Sequence, residues 1–214
     1  MNQAEIEIPA AERAFLWLHD KVVDTPWNQD AFFSETSIAK ESGVSRTPVR
    51  EAVLKLEARE LIRRIPFKGA YVPALTQHMI DEHLEVRKVI GAWASEKVAE
   101  LGTVDTDRLR ELIIQQRDQL DEPHKFIETD HQFHLEIVHA ANNATFTSAY
   151  ESQRTIQKRL GLKAIRSHRS RRVEATEEHE KMLQAFIDRD GPGAREAAVG
   201  HLAQTAKAMK THLT

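Results

Sequence analysis

Five side chains within residues 76–214 have the types and spacing for shared chemistry: Asp130 and His134, four residues apart, with His179, His201 and Arg87. At about 100° per residue, a helix brings His134 to about 40° from Asp130, with Phe133, Ile137 and Ala141 within about 60°. Acid and histidine therefore share an apolar, inward stripe. His139 falls opposite and His131 about a quarter turn away, so both are expected at the boundary or on the surface. By the same test His179 shares a face with Ala175, Leu183 and Phe186, and His201 with Ala197, Thr205 and Ala208. A buried carboxylate is costly unless paired or metal-bound. Four such groups from three helices suit one divalent metal ion per chain, zinc or nickel first, with manganese or iron also admitted. The alternative is a set of separately hydrogen-bonded core histidines. Arg87 shares its stripe with Ile80, Leu84, Ile90, Gly91, Ala94 and Val98. A guanidinium there needs an anion, either an acidic side chain or a ligand carboxylate held by a bidentate fork.

The elements that must position these groups are helices. Residues 76–214 show no strand pattern and divide into six helices at about 76–101, 105–121, 124–141, 144–167, 171–189 and 192–212. The breaks are "GTVDT", "DEP", "NN", "SHRS" and "DGPG". The expected result is an antiparallel all-helical bundle that buries one stripe of each helix. The basic run "RTIQKRLGLKAIRSHRSRR", 154–172, is expected as a solvated helix face and loop.

The chain has 214 residues and a net charge of −3, with 41% hydrophobic and 29% charged residues, the profile of a globular protein of about two domains. It has no cysteine, which excludes disulfides and thiolate metal sites. No apolar run reaches the ~20 residues that span a bilayer, and the first residues lack a signal-peptide pattern, so a cytoplasmic protein with no membrane partner is expected. The acidic average hides a basic segment. Residues 36–75 hold eight Lys/Arg and four Glu, a net of +4.

That segment lies in residues 1–74, where the order is helix, helix, turn, helix, hairpin. The first helix spans 10–24, with Ala14, Leu16, Leu18, Val22 and Val23 apolar. "SETSIAKES" follows with Ser34 as its cap, then a turn at Gly43, then "RTPVREAVLKLEARE" capped by Ser45. Pro48 stands in that helix's first turn, where it costs no hydrogen bond. Val49, Val53, Leu54 and Leu56 give it an apolar side. Two short β-like runs flank Lys68-Gly69. This is the order of a winged helix-turn-helix, and the fold class is mainly α. Arg46 and Arg50 share the face of the helix end that enters a major groove, where arginine pairs with guanine O6 and N7.

The stretch "SIAKESGVSRTPVREAVLKLEARELIRR" with "KGAYV" resembles the DNA-binding domain of the GntR family of bacterial regulators. The resemblance implies base contacts from Arg46 and Arg50, phosphate or base contacts from Ser45 and Thr47, and a wing tip at Lys68-Gly69. Departures are Glu60 where the family has glycine, "PWNQDAFF" where it has "PG", and Thr36 where some relatives carry a basic residue. The second domain, 76–214, resembles the FCD ligand-binding domain of the FadR branch. Asp130 to His134 as "D-x-x-F-H", "E-H" at Glu178-His179 and "H-L" at His201-Leu202 match that family's metal ligands, and Arg87 matches its effector-carboxylate arginine. "AANNATF" resembles a helix junction, with Asn142 in place of a common glycine. Six helices suggest the shorter, VanR-like group. The resemblance implies a homodimer that binds a palindromic double-stranded DNA operator and a small carboxylate effector, with no catalytic residues.

Two rivals remain open. A metal-dependent hydrolase needs an open metal position and a general base, and only His131 and His83 stand near enough in sequence. A regulator that senses the metal alone has no use for the Arg87 clamp.

Overall fold

The computed structural model describes residues 8–166 and 168–210, without the side chain of Lys210. It contains two compact units, Met1–Thr76 and Gln77–Thr214. No helix among the described residues is long and apolar enough to cross a membrane.

In the first unit, α1 (Ala10–Asp24) buries Ala14, Phe15, Leu18 and Val22 against α3 (Arg46–Glu57), which buries Val49, Ala52, Val53 and Leu56. Leu16 and Leu54, expected among the apolar positions, are exposed. Between them α2 (Glu35–Ser42) inserts Ile38. Ser34 caps α2 by accepting from the Ser37 amide at 3.0 Å. Ser45 occupies the N-cap position of α3, but its hydroxyl makes no capping bond.

Three antiparallel strands complete the unit, β1 (Ala31–Ser34), β2 (Arg63–Ile65) and β3 (Gly69–Val72), in the order β1-β3-β2. The expected hairpin is β2–β3, and β1 is an addition to the sequence reading. Gly69 pairs with Ser34 on one side and Ile65 on the other. A Cβ at Gly69 would lie 2.0 Å from the Phe33 carbonyl oxygen, so only glycine lets β1 approach. The wing tip therefore includes Lys68 but not Gly69. Gly69 is buried in the sheet, and the turn is Pro66–Lys68, where Phe67 is 90% exposed at φ 60°.

The second unit contains seven helices among the described residues, not six. They are α4 (Gln77–Leu101), α5 (Thr106–Asp118), α6 (Pro123–Ala140), α7 (Ala144–Ser152), α8 (Arg154–Ile165), α9 (Arg169–Ile187) and α10 (Gly191–Lys210). The expected fourth helix is split at Gln153, whose ψ of −1° departs from helical geometry. The helix count that suggested the shorter group thus becomes seven. The expected helix ends at 167 and 212 fall outside the described residues.

Helix starts follow local chemistry. Asp105 accepts from the Arg108 amide to begin α5, Pro123 opens α6, and Asn143 accepts from the Phe146 amide to begin α7. The core runs through Ile90, Ala94 and Val98 of α4, Leu109, Leu112 and Ile113 of α5, Phe133 and Ile137 of α6, and Met182 and Phe186 of α9. Gly161 lets α8 lie close to α6, because a Cβ there would meet the Ile127 Cδ1 at 2.4 Å.

Candidate functional sites

Inside the bundle, α6 supplies Asp130 and His134, α9 supplies His179, and α10 supplies His201. All four are buried, and one ligand atom from each lies within 4.8 Å of the others. His134 Nε2 and His201 Nε2 stand 3.2 Å apart, and His179 Nε2 is 3.6 Å from Asp130 Oδ1. The helix wheel brought these residues to one interior, and the packed helices bring their donor atoms together.

The far sides of two rings are fixed. His179 Nδ1 lies 2.9 Å from the Gln116 carbonyl oxygen on α5, and His201 Nδ1 lies 2.7 Å from Glu178 Oε2. Both oxygens are acceptors, so each Nδ1 carries the proton and each Nε2 presents a lone pair inward. Among the described residues, the buried Nε2 of His179 has no hydrogen-bond partner. Such an orphan costs about 1–3 kcal/mol unless something coordinates it. Imidazole nitrogens tied outward and one carboxylate form a donor set that fits a divalent cation.

The charge balance agrees with that fit. Burial holds His134, His179 and His201 well below their ordinary value of 6.5, with nearby cationic groups adding to it, so the rings are neutral at pH 7. Burial pushes the Asp130 carboxyl up, and the Arg87 and Arg171 guanidinium groups oppose this without cancelling it.

Arg87, buried in α4, places Nη2 3.6 Å from Asp130 Oδ2, while its Nε has no hydrogen-bond partner among the described residues. It therefore stands beside the four-residue cluster. His131 is not at the boundary. It is 4% exposed, stacks on Tyr150 with ring centroids 6.2 Å apart, and is pushed down to about 3 by burial, with Arg154, Lys158 and Arg87 adding repulsion. Packing of α8 covers that flank of α6. His139 is exposed as expected and lies 3.2 Å from Glu151.

The basic run also departs from expectation. Lys158, Arg159, Arg171 and Arg172 are buried. Arg171 forms a fork on Glu178, at 2.8 and 2.7 Å, and Arg172 donates to the Leu120 and Ile165 carbonyls. Lys158 and Arg154 both pair with Glu128. Burial alone would raise the Glu128 carboxyl, but these two cations outweigh it and lower it. Lys158, Arg171 and Arg172 each find an acceptor that a reading of one helix cannot supply.

In the first unit Ser45, Arg46, Thr47 and Arg50 are exposed at the start of α3, and Lys68 is exposed in the wing turn. Arg50 Nε lies 3.2 Å from Glu35 Oε2, which holds its stem against α2. Glu60 follows α3 in the left-handed region, at φ 58°, and Asn142 follows α6 at φ 50°. The two positions that depart from family glycines are thus left-handed ones.

Against known proteins, the bacterial regulatory proteins of the gntR family match residues 10–72, and the FCD domain matches residues 82–204. The HTH-type transcriptional repressor RspR of Escherichia coli (strain K12) is 25% identical over 183 residues, covering 83% of this chain and 78% of that protein. The gluconate operon transcriptional repressor of Bacillus subtilis (strain 168) is 26% identical over 181 residues, covering 81% of this chain and 74% of that protein. Among solved structures, E. coli McbR/YncC shares the fold with a TM-score of 0.80 at 20% identity, covering 97% of this chain and 100% of that one.

Proposed function

This chain belongs to the gntR family of bacterial regulatory proteins and carries an FCD domain, and from that premise we propose that it is a repressor whose hold on its operator is set by a small carboxylate bound at a divalent metal ion. Families and relatives are DNA-binding transcriptional regulators, not enzymes. Repression follows the relatives named as repressors.

One observation carries the sensing half. Asp130, His134, His179 and His201 bring their donor atoms within 4.8 Å of one another, with the Arg87 guanidinium 3.6 Å from Asp130. The four residues hold the cation, and the cation gives the effector carboxylate a point of attachment. Arg87 supplies a second positive group from α4, in surroundings that screen charge poorly. Arg46 and Arg50 read bases, Ser45, Thr47 and Lys68 contact backbone or base, and two copies of the chain read a palindrome. The effector shifts DNA affinity to the extent that it binds the two dimer arrangements unequally.

The test is a thermal-shift screen with a carboxylic-acid panel on wild type, Arg87→Ala and chelator-treated protein, alongside elemental analysis. The expected result is about one metal per chain and stabilisation of wild type by an acid, much reduced in the other two. Stabilisation by a neutral compound, indifferent to both changes, contradicts the reading.

A further inference from the structure

We infer that the wing carries an apolar wedge: the Phe67 ring enters the minor groove beside each half-site and selects a base step that unstacks easily. This reader makes no hydrogen bond. It goes beyond the base contacts of α3 and does not depend on the metal or the effector.

Phe67 stands where folding alone has no use for a phenylalanine. The Lys68 amide donates to the Ile65 carbonyl at 3.0 Å, closing a four-residue turn with Pro66 second and Phe67 third. Proline fixes a negative φ at the second position, and Phe67 has φ 60° at the third, the pattern of a type II turn. That third position favours glycine or asparagine, because a bulky side chain is strained there. The ring regains nothing by burial. It is 90% exposed, whereas the other exposed large apolar side chains among the described residues reach at most 58%. Backbone strain and full exposure at one residue point to a contact made outside the folded unit.

The surroundings of the ring select that contact. Lys68 follows it in the turn, and Arg63 and Arg64 are exposed on β2. Glu35 ties the wing to the reading helix. Its amide donates to the Lys68 carbonyl at 3.1 Å, and its carboxylate lies 3.2 Å from Arg50 Nε. The wing turn and the exposed start of α3 are thus anchored to one residue within one compact unit. An apolar ring among cations suits a polyanion with an apolar interior. The minor groove is such a place: phosphates line its rims, deoxyribose forms its walls and stacked bases form its floor. At about 6 Å wide it admits a side chain but not a helix, and apolar side chains that enter it wedge between base steps. A phenyl ring offers no donor or acceptor to a base edge. It reads deformability instead, because pyrimidine–purine steps such as TA unstack readily while A-tracts are stiff.

The experiment uses the full chain and a duplex that it selects from a random DNA pool. Fluorescence anisotropy measures affinity for duplexes in which each step flanking the half-sites is either TA or AA, and 2-aminopurine at that step reports unstacking. Wild type is expected to prefer TA at one flanking step by about fivefold or more, and to raise the 2-aminopurine signal there. Phe67→Gly is expected to lose that preference and that signal, and to bind the selected duplex about tenfold more weakly. Its urea midpoint should not fall, since glycine suits the turn. Phe67→Leu, still apolar, should keep part of the preference. Arg50→Ala should leave the step preference in place, so a failure of base reading by α3 and a failure of the wedge are told apart. The wedge is overturned if wild type shows no step preference, or if Phe67→Gly retains it. Equal weakening on selected and scrambled DNA with a silent 2-aminopurine overturns it too, leaving a backbone contact only. A changed sedimentation coefficient of the free Phe67→Gly chain, with DNA binding unchanged, assigns the ring to a protein contact and equally overturns it.

Discussion

Glu178 and His179 are neighbours in α9 that serve the same centre in different ways. His179 turns its Nε2 inward, 3.6 Å from Asp130, whereas Glu178 stays outside and receives the His201 Nδ1 proton at 2.7 Å. Arg171 in turn fixes Glu178 through a two-pronged contact and reaches Thr205 Oγ1 at 3.2 Å. One cation from the basic run thus orients, through a carboxylate, an imidazole on another helix.

If the cluster holds the proposed cation, this relay makes Glu178 a positioning residue for it. Glu178→Gln should lower metal affinity by about 10–100-fold, because it weakens the basicity and orientation of His201. The exposed Glu177→Gln is the control and should change nothing. Competition with a chromogenic chelator measures both. Equal affinity in the two variants would remove Glu178 from the site.

The metal-free protein should lose stability as pH falls below about 6.5. His131, His134, His179 and His201 all sit below their ordinary value in the folded chain. The unfolded chain therefore takes up protons first, and each histidine removes up to about 1.4 kcal/mol per pH unit below that point. Asp130, raised by burial, acts in the opposite direction, as one group against four. Urea melts between pH 5 and 8 read the slope. A profile flat through that window contradicts the burial of these rings.

Glu60 should be replaceable with gain. Its φ of 58° costs an L-residue about 1–2 kcal/mol, part of which glycine returns to the flexible unfolded chain. Glu60→Gly is expected to stabilise the N-terminal unit by about 0.5–1 kcal/mol. Asn142→Gly should do less, since asparagine tolerates this region better. Chemical denaturation of each variant checks the order.

Arg50 and Lys68 should fail differently on DNA. Arg50→Ala is expected to cost about 1–3 kcal/mol on a selected operator and to relax preference at one base pair. Lys68→Ala should weaken binding to selected and scrambled DNA alike and reduce the salt slope by about 1. If Arg50→Ala leaves the ratio of operator to scrambled binding unchanged, Arg50 does not read bases.

The sequence by itself determined what depends on local period and local capping. A helix turns by a fixed angle per residue, so Asp130 and His134 had to share a face with Phe133 and Ile137, and Arg87 had to join Ile90 and Ala94. Ser34 and Pro48 marked helix starts because their effects reach only one turn. Tertiary structure decided what depends on a distant partner. His131 is buried because α8 lies over a second flank of α6, with Gly161 facing the Ile127 side chain there. Arg171 and Arg172 leave water because Glu178 and the Leu120 carbonyl receive them. β1 exists because β3, far along the chain, supplies its hydrogen bonds, and Gly69 moves from the wing tip into the sheet for the same reason. A long cation or a four-residue strand carries no sign of its partner in its own spacing, and only the packed chain sets which one it meets.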